Sequence, residues 1–450
     1  MPKGKREESL KKQIEQFDFD NVEFGKFILH PQSSSLPKVP FRLCVWLMVR
    51  DEASFVEKSL LSAATVADCI VVADTGSTDG TVDKVISVCQ TIKKPFYIVQ
   101  IGDPKYNLLN FPFFNFAAYR NRILQFVEPL AEWLLAIDAS DEIRNGHLLL
   151  QALSQIPERF SAGVVQLLWN DYAHGFQRLL RSRSNLRYKD ARHNYFDLKT
   201  DEQVDLRSIG FCLYQDRSSA KSSKSKFKKD IEYFEWKLKY FPDDRRAMFY
   251  LAESYYNDNL LSNAYKQYQK CSVKEDMWCN ERFVSHLRCA EIVRQQHRDF
   301  QTIESHLLNA YNTIATPLAA IELYRLYRDD QRKEKEYFGP RLNQAYAFIM
   351  AACYCKDAQC FLHEKPREVD ETRWALLAHA AFEKGDVPVA IDGYIRAQYG
   401  HLLYENVSRY YAPSFQLCWN KFGKDNWKEF QKIPVEFISA TLAAEIKHKQ

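Results

Sequence analysis

The chain is predicted to fold as an α/β domain followed by an all-α domain of helical repeats. Apolar strand-like runs alternate with helical patterns between residues 43 and 170, which gives βαβ units and a mainly parallel sheet covered on both faces. One run, Val71-Val72-Ala73-Asp74, ends in a carboxylate and passes at once into Thr75-Gly76-Ser77-Thr78-Asp79-Gly80-Thr81. That is the layout of a ligand-binding edge, where ligands sit outside the carboxyl ends of the strands. After about Lys229 the pattern turns wholly helical and repeats itself.

In chain order, strands are expected at 43–49, 69–73, 97–101, 133–137 and 164–169, and helices at 52–64, 81–90, 115–127 and 147–156. A basic stretch with Arg178, Arg181, Arg183, Arg187, Lys189 and Arg192 follows, then the Ser/Lys-rich residues 218–226, too poor in apolar side chains to pack a core. The expected division is an N-terminal extension (1–40), an α/β domain (41–215), a basic linker or loop (216–229) and a helical repeat domain (230–450). In the last, Met248, Leu251, Ala252, Tyr255, Ala264, Tyr268 and Cys271 follow tetratricopeptide spacing, and Trp374, Leu377, Ala378, Ala381, Ala390, Tyr394 and Ala397 repeat it. The small residues suit helices that approach closely. Such a solenoid offers a concave surface to a protein or peptide; equally, it can buttress the first domain or join two copies of the chain.

A chain of 450 residues, 46% hydrophobic and 14% aromatic, buries a large core, which excludes disorder as its main state. A net charge of +4 gives no global reason to expect a nucleic-acid partner. The eleven cysteines, mostly within apolar runs, read as reduced thiols in a reducing compartment. No window is apolar enough for a membrane helix and the first residues lack a signal-peptide core, so a cytoplasmic protein is expected. Cys353, Cys355, Cys360 and His363 lie close together but in no zinc-binding spacing.

A second strand ending in acids, Trp133-Leu134-Leu135-Ala136-Ile137-Asp138-Ala139-Ser140-Asp141-Glu142, suggests a nucleotide-sugar site assembled around a metal ion. With it, residues about 41 to 215 resemble the inverting family-2 glycosyltransferases of the GT-A fold, and within them the members that end in tetratricopeptide repeats. Met48-Val49-Arg50-Asp51-Glu52 resembles their first-strand motif and Asp74 to Thr81 their nucleotide motif. Asn115-Phe116-Ala117-Ala118-Tyr119-Arg120-Asn121 is similar to the segment before the metal motif, and Phe176-Gln177-Arg178-Leu179-Leu180-Arg181 to the acceptor-side strand.

The resemblance implies transfer of a sugar from a nucleoside-diphosphate donor, UDP in the first instance, to a protein, peptide or glycan acceptor, with inversion. Val49, Arg50, Glu52, Asp74, Gly76, Ser77 and Asp79 would line the nucleotide, with Arg120 and Arg181, or Arg178, near the phosphates. Mn²⁺ or Mg²⁺ would be held by Asp138 and by Asp141 or Glu142; the motif has one more residue between its acids than the family's Asp-x-Asp. Inversion needs a general base, for which Asp171 and His193 are candidates; Asn194 stands where a Glu is expected and cannot serve. His193 is also a candidate third metal ligand. Two other classes remain: a GT-A/repeat scaffold without activity, and a nucleotidyltransferase, which would want a glycine-rich phosphate loop that the first strand lacks.

Overall fold

A computed structural model of the chain describes residues 24, 26–102, 113–169, 172–198, 202–215, 224–296, 299–333, 340–354, 362 and 365–449. The structure divides into two compact units between Asp258 and Asn259.

The first unit is built on β2 (Phe41–Val49), whose continuous apolar run is buried on both faces, as a central parallel strand requires. Leu43, Val45, Leu47 and Val49 face one core with helices α1 (Val56–Ala63), α2 (Thr81–Ile92) and α4 (Gly146–Leu153). Cys44 and Trp46 face the other, with α3 (Phe116–Val127). β3 (Cys69–Asp74) and β5 (Ala131–Ile137) pair in parallel on either side of β2, and β4 (Phe96–Gln100) lies beyond β3. Part of the expected N-terminal extension joins this sheet: β1 (Ile28–Leu29) pairs antiparallel with β4.

The far half departs from the mainly parallel expectation. β7 (Ala162–Trp169) and β8 (Tyr172–Arg181) are joined by residues 170–171 alone, and so short a connection permits only an antiparallel pair. β8 also runs antiparallel to β5. β6 (Asp141–Arg144), not among the expected strands, pairs antiparallel with β10 (Cys212–Gln215), and β9 (Gln203–Asp205) adds to β7. The sheet is therefore mixed.

Residues 216–223 of the expected linker lie outside the described residues, but from Lys224 the chain is already helix α5 (Lys224–Tyr240), followed by α6 (Arg245–Asn257). Both belong to the first unit, where Tyr233, Phe234, Ala247 and Leu251 pack with Ala191 and Phe113. The register 248–271 thus straddles the division between units.

The second unit is all helix: α7 (Leu261–Ser272), α8 (Cys279–Gln296), α9 (Phe300–Thr313), α10 (Pro317–Lys333), α11 (Pro340–Tyr354), α12 (Arg373–Lys384), α13 (Val387–Leu402), α14 (Ala412–Phe430) and α15 (Ala440–Lys447). Each packs chiefly on its neighbours in sequence. Ala378 and Ala390 are buried, and α13 comes close to α12 at Gly393, where a Cβ would come 2.9 Å from the Ala378 Cβ and 3.0 Å from the Trp374 carbonyl oxygen. Among the described residues no helix is long and apolar enough to cross a membrane. Cys353 is buried and its thiol donates to the Arg373 carbonyl (3.3 Å); Cys355, Cys360 and His363 lie outside the described residues.

Gly393→Ala is expected to destabilise the protein by about 1–3 kcal/mol, because the added methyl overpacks a closed helix pair. Gly102→Ala, where a Cβ meets nothing within 4 Å, is the control. Equal urea midpoints for the two variants would refute the close packing.

Candidate active site

β3 and β4 lie on one side of β2 and β5 on the other, so the strand order reverses at β2 and a crevice opens beyond the carboxyl ends of β2 and β5. Asp74 is in register with Val49, and Ile137 with Leu47. Asp74 and Asp138 therefore flank the end of β2, about 10 Å apart if two strand spacings separate them.

On the β3 side the loops after β2 and β3 are latched together. Buried Asp74 accepts the amides of Gly76 (3.3 Å) and Ser77 (3.1 Å), a turn that needs the positive φ of Gly76, +100°. The Ser77 hydroxyl accepts the Asp51 amide (3.1 Å), and the Asp51 carboxylate accepts the Thr78 amide (2.7 Å). Glu52 donates its amide to Thr81 Oγ1 (2.8 Å). Asp79 accepts the amides of Ala53 (3.1 Å) and Thr81 (3.0 Å), and the Thr81 hydroxyl holds its carboxyl below the ordinary range. The Val49 carbonyl accepts both the amide and the hydroxyl of Thr75, at 3.1 Å each. Ser77 and Asp79 are thus committed to the latch, while Arg50 is exposed.

On the β5 side Asp138 is held by two guanidinium groups. Arg178, on β8, makes a forked pair (Nη1–Oδ1 3.2 Å, Nη2–Oδ2 2.6 Å), and Arg120, on α3, adds Nη2–Oδ1 at 3.1 Å. Burial opposes ionisation of Asp138, but Arg178 and then Arg120 override it and hold the carboxyl well below the usual carboxylate range. Arg120 also donates to Asn194 Oδ1 (3.2 Å), which places Asn194 one guanidinium away from Asp138.

Asp141 has a different part. It is 1% exposed; its Oδ2 accepts the Asp138 amide (2.7 Å) and its Oδ1 the Gln215 amide (2.6 Å), so it braces the turn from below. Burial, and then the Asp138 charge, push its carboxyl up to about 6. The Ser59 hydroxyl closes the turn against the carbonyls of Ala139 (2.8 Å) and Asp141 (2.5 Å). Glu142 alternates with Asp141 along β6 and pairs with Lys58 (2.8 Å) and Arg144 (3.3 Å).

This donor set does not fit the expected Mn²⁺ or Mg²⁺ site. A carboxylate offers about four lone-pair directions, and Asp138 spends three of them on arginine. Both oxygens of Asp141 are engaged, and Glu142 is directed away from it. Among the described residues no group of three or more His, Cys, Asp or Glu is arranged to hold a metal ion.

Arg181 is not in the crevice. It is in register with Trp133, over whose ring its guanidinium lies at 4.1 Å, and it pairs with Glu132 at 2.9 Å. Five strand residues, roughly 16 Å, separate that end of β5 from Asp138. Three positions apart on one strand, Arg178 and Arg181 point to opposite faces, so the sequence already allowed only one of them. His193 stacks on Tyr250 (ring centroids 4.0 Å) with Nε2 3.9 Å from Asp230 and 37% of its side chain exposed; desolvation, and then the Lys226 and Arg246 charges, push its imidazole below the ordinary range. Asp171 lies outside the described residues. Ser59, Gln215 and Tyr188 were not singled out in the sequence; each is a solitary polar residue whose role exists only once distant strands are paired.

No protein-family model matches the sequence, and no curated protein matches it. Among solved structures, TarS 1-349 from S. aureus aligns over 66% of this chain and 93% of its own at 13% identity, with a TM-score of 0.29. BtubC (BKLC) from P. vanneervenii aligns over 50% and 90% at 12% identity, with a TM-score of 0.31. At those scores neither likeness carries an argument about fold or function.

The raised Asp141 carboxyl makes stability pH-dependent. Because its folded value (about 6) exceeds the unfolded one, the stabilisation it gives is full below the unfolded value and is lost as pH rises through 6. Asp138 runs the other way and is lost only in acid. Asp141→Asn, with the Gln215 amide turned to accept, is expected to remove a loss on the order of 1–3 kcal/mol between pH 4.5 and 7.5. Urea unfolding across that range checks it; parallel profiles for variant and wild type would reject the assignment.

Proposed function

We propose that the first unit transfers a sugar from a nucleoside-diphosphate donor, UDP in the first instance, to a hydroxyl or amide acceptor. The observation that carries the reading is the pair of strand-end carboxylates, Asp74 and Asp138, on either side of β2 at the reversal of strand order. The ordered motifs 48–52, 74–81, 115–121 and 138–142, which resemble family-2 glycosyltransferases, support it.

In this reading Asp74 receives the N–H or hydroxyl donors of the nucleoside, and the diphosphate extends along the end of β2 towards Arg120. The acceptor atom forms a bond to the anomeric carbon from the face opposite the diphosphate. The bond from that carbon to the β-phosphate oxygen breaks, and its electron pair leaves with the nucleoside diphosphate. The acceptor's proton passes to a general base, for which Asp171 and His193 are the candidates. Inversion, family membership and a protein, peptide or glycan acceptor follow from the resemblance. So does a tetratricopeptide identity for the second unit, whose sequential helix packing is compatible with it.

The scaffold reading rests on a specific observation as well: Asp138 and Asp141 are both committed to internal bonds. The two readings separate in one assay. Full-length protein incubated with a panel of UDP- and GDP-sugars is expected to release nucleoside diphosphate slowly from one donor. Asp74→Asn should raise KM for that donor about tenfold, the loss of one charge-assisted contact, with a smaller change in kcat. No release and no nucleotide binding with any donor would favour the scaffold.

A further inference from the structure

We infer that this crevice holds a diphosphate anion directly on Arg120, within the field of Lys226 and over a fixed Arg178–Asp138 pair, without a bridging divalent cation. The inference deepens the transferase reading and rests on it for the nucleoside, but not for the diphosphate.

The sign of the local charge is the first argument. Three cations, Arg120, Arg178 and Lys226, act on Asp138, and the Lys226 charge, from the first turns of α5, reaches His193 as well. Against them stand Asp138, Asp141 and Asp230, the last of which faces Lys226 and is also paired with a fourth cation, Arg192, at 2.7 Å. A site built for a divalent ion presents an excess of carboxylate oxygen; this one presents an excess of cations, which repels a metal ion and attracts a polyanion.

Free donor capacity is the second. A guanidinium has five N–H groups. Arg120 spends one on Asp138 and one on Asn194, and 19% of its side-chain surface faces solvent. Arg178, by contrast, is fixed in its fork and 11% exposed, so it positions Asp138 rather than reaching outward. Lys226 is exposed. Beneath Arg120, whose Cζ lies 5.4 Å from the Tyr188 ring centroid, the buried Tyr188 hydroxyl has no hydrogen-bond partner among the described residues. A polar atom left unpaired beside two arginines is costly unless a ligand oxygen or a water it brings completes it.

The arrangement also accounts for Asp138 itself. Its charge orients the Arg120 guanidinium, as a carboxylate orients a cationic side chain that must meet a ligand without reorganising.

Isothermal titration of the full chain with inorganic pyrophosphate and with UDP, each in EDTA and then with Mn²⁺, tests the inference. Both probes are expected to bind in EDTA, weakening as salt is raised, with Mn²⁺ changing Kd by less than about threefold, within the spread expected of a non-bridging ion. Lys226→Gln and Arg120→Gln should each weaken pyrophosphate about fivefold or more, the equivalent of one charge-assisted contact. Should Arg120→Gln fail to fold, Lys226→Gln, at an exposed position, carries the test. If UDP binds only with Mn²⁺, the inference falls and the transferase reading stands. If pyrophosphate binds in EDTA but no nucleotide does, the inference stands and the transferase reading falls. If neither probe binds in either condition, both fall.

Discussion

The double guanidinium clamp on Asp138 is the interaction on which the rest of the site depends. It ties three separate elements, α3, the end of β5 and β8, to one carboxylate. Paired charges of this kind are weak evidence of stability, since desolvation offsets much of the attraction. Their value is positional. With Arg178 drawn onto Asp138 the crevice floor is fixed, and with Arg120 reaching both Asp138 and Asn194 the 190s loop is held against it. The same loop is gripped from the other side by α5, through Arg192–Asp230 (2.7 Å) and Lys237–Asp190 (2.5 Å). That explains why helices α5 and α6 belong to the first unit, although their composition reads as the start of a repeat domain.

The two sides of the crevice are stiffened by different means. Beside β3 the loops are joined by backbone amides donating to Ser, Thr and Asp side chains, a low-charge lattice that leaves the path of the chain little freedom. Beside β5 the bracing is ionic and buried. Asp141 is the member of that group least content with its charge: burial, and then the neighbouring Asp138 charge, raise its carboxyl, against the two neutral donors that favour its ionised form.

Much of the first half of the sheet was legible from the sequence, because each parallel strand is a continuous apolar run bounded by a helix signal: 43–49 and 69–73 became β2 and β3 with shifts of two residues or fewer. The short strands β6, β9 and β10 were not, since three or four residues carry no period that separates a strand from a turn. At the site, residues carried by a local motif were legible in position: Asp74, Gly76 and Ser77 do meet in one turn. Asp138 and Arg120 also come together, but as partners of each other. What a sequence of this kind hides is which lone pairs are already spent. Asp138-Ala139-Ser140-Asp141 reads as a pair of open ligands, and only the pairing of β8 and β10 reveals that one faces arginine and the other an amide.

The extra residue between the two acids is the physical origin of that difference. With Asp138 ending its strand and Asp141 starting β6, the chain must reverse between them, and the Asp141 amide donates to the Asp138 carbonyl at 2.9 Å to close the turn. In a reversal this tight the second carboxylate folds back under the backbone and takes the Asp138 amide, while the first projects into the crevice. One acid is thereby converted from a candidate ligand into a brace, and charge neutralisation at the strand end passes to the arginines that the antiparallel strand β8 and helix α3 bring alongside. In the proposed reading, the one extra residue leaves a phosphate to be met by cations that the fold itself supplies.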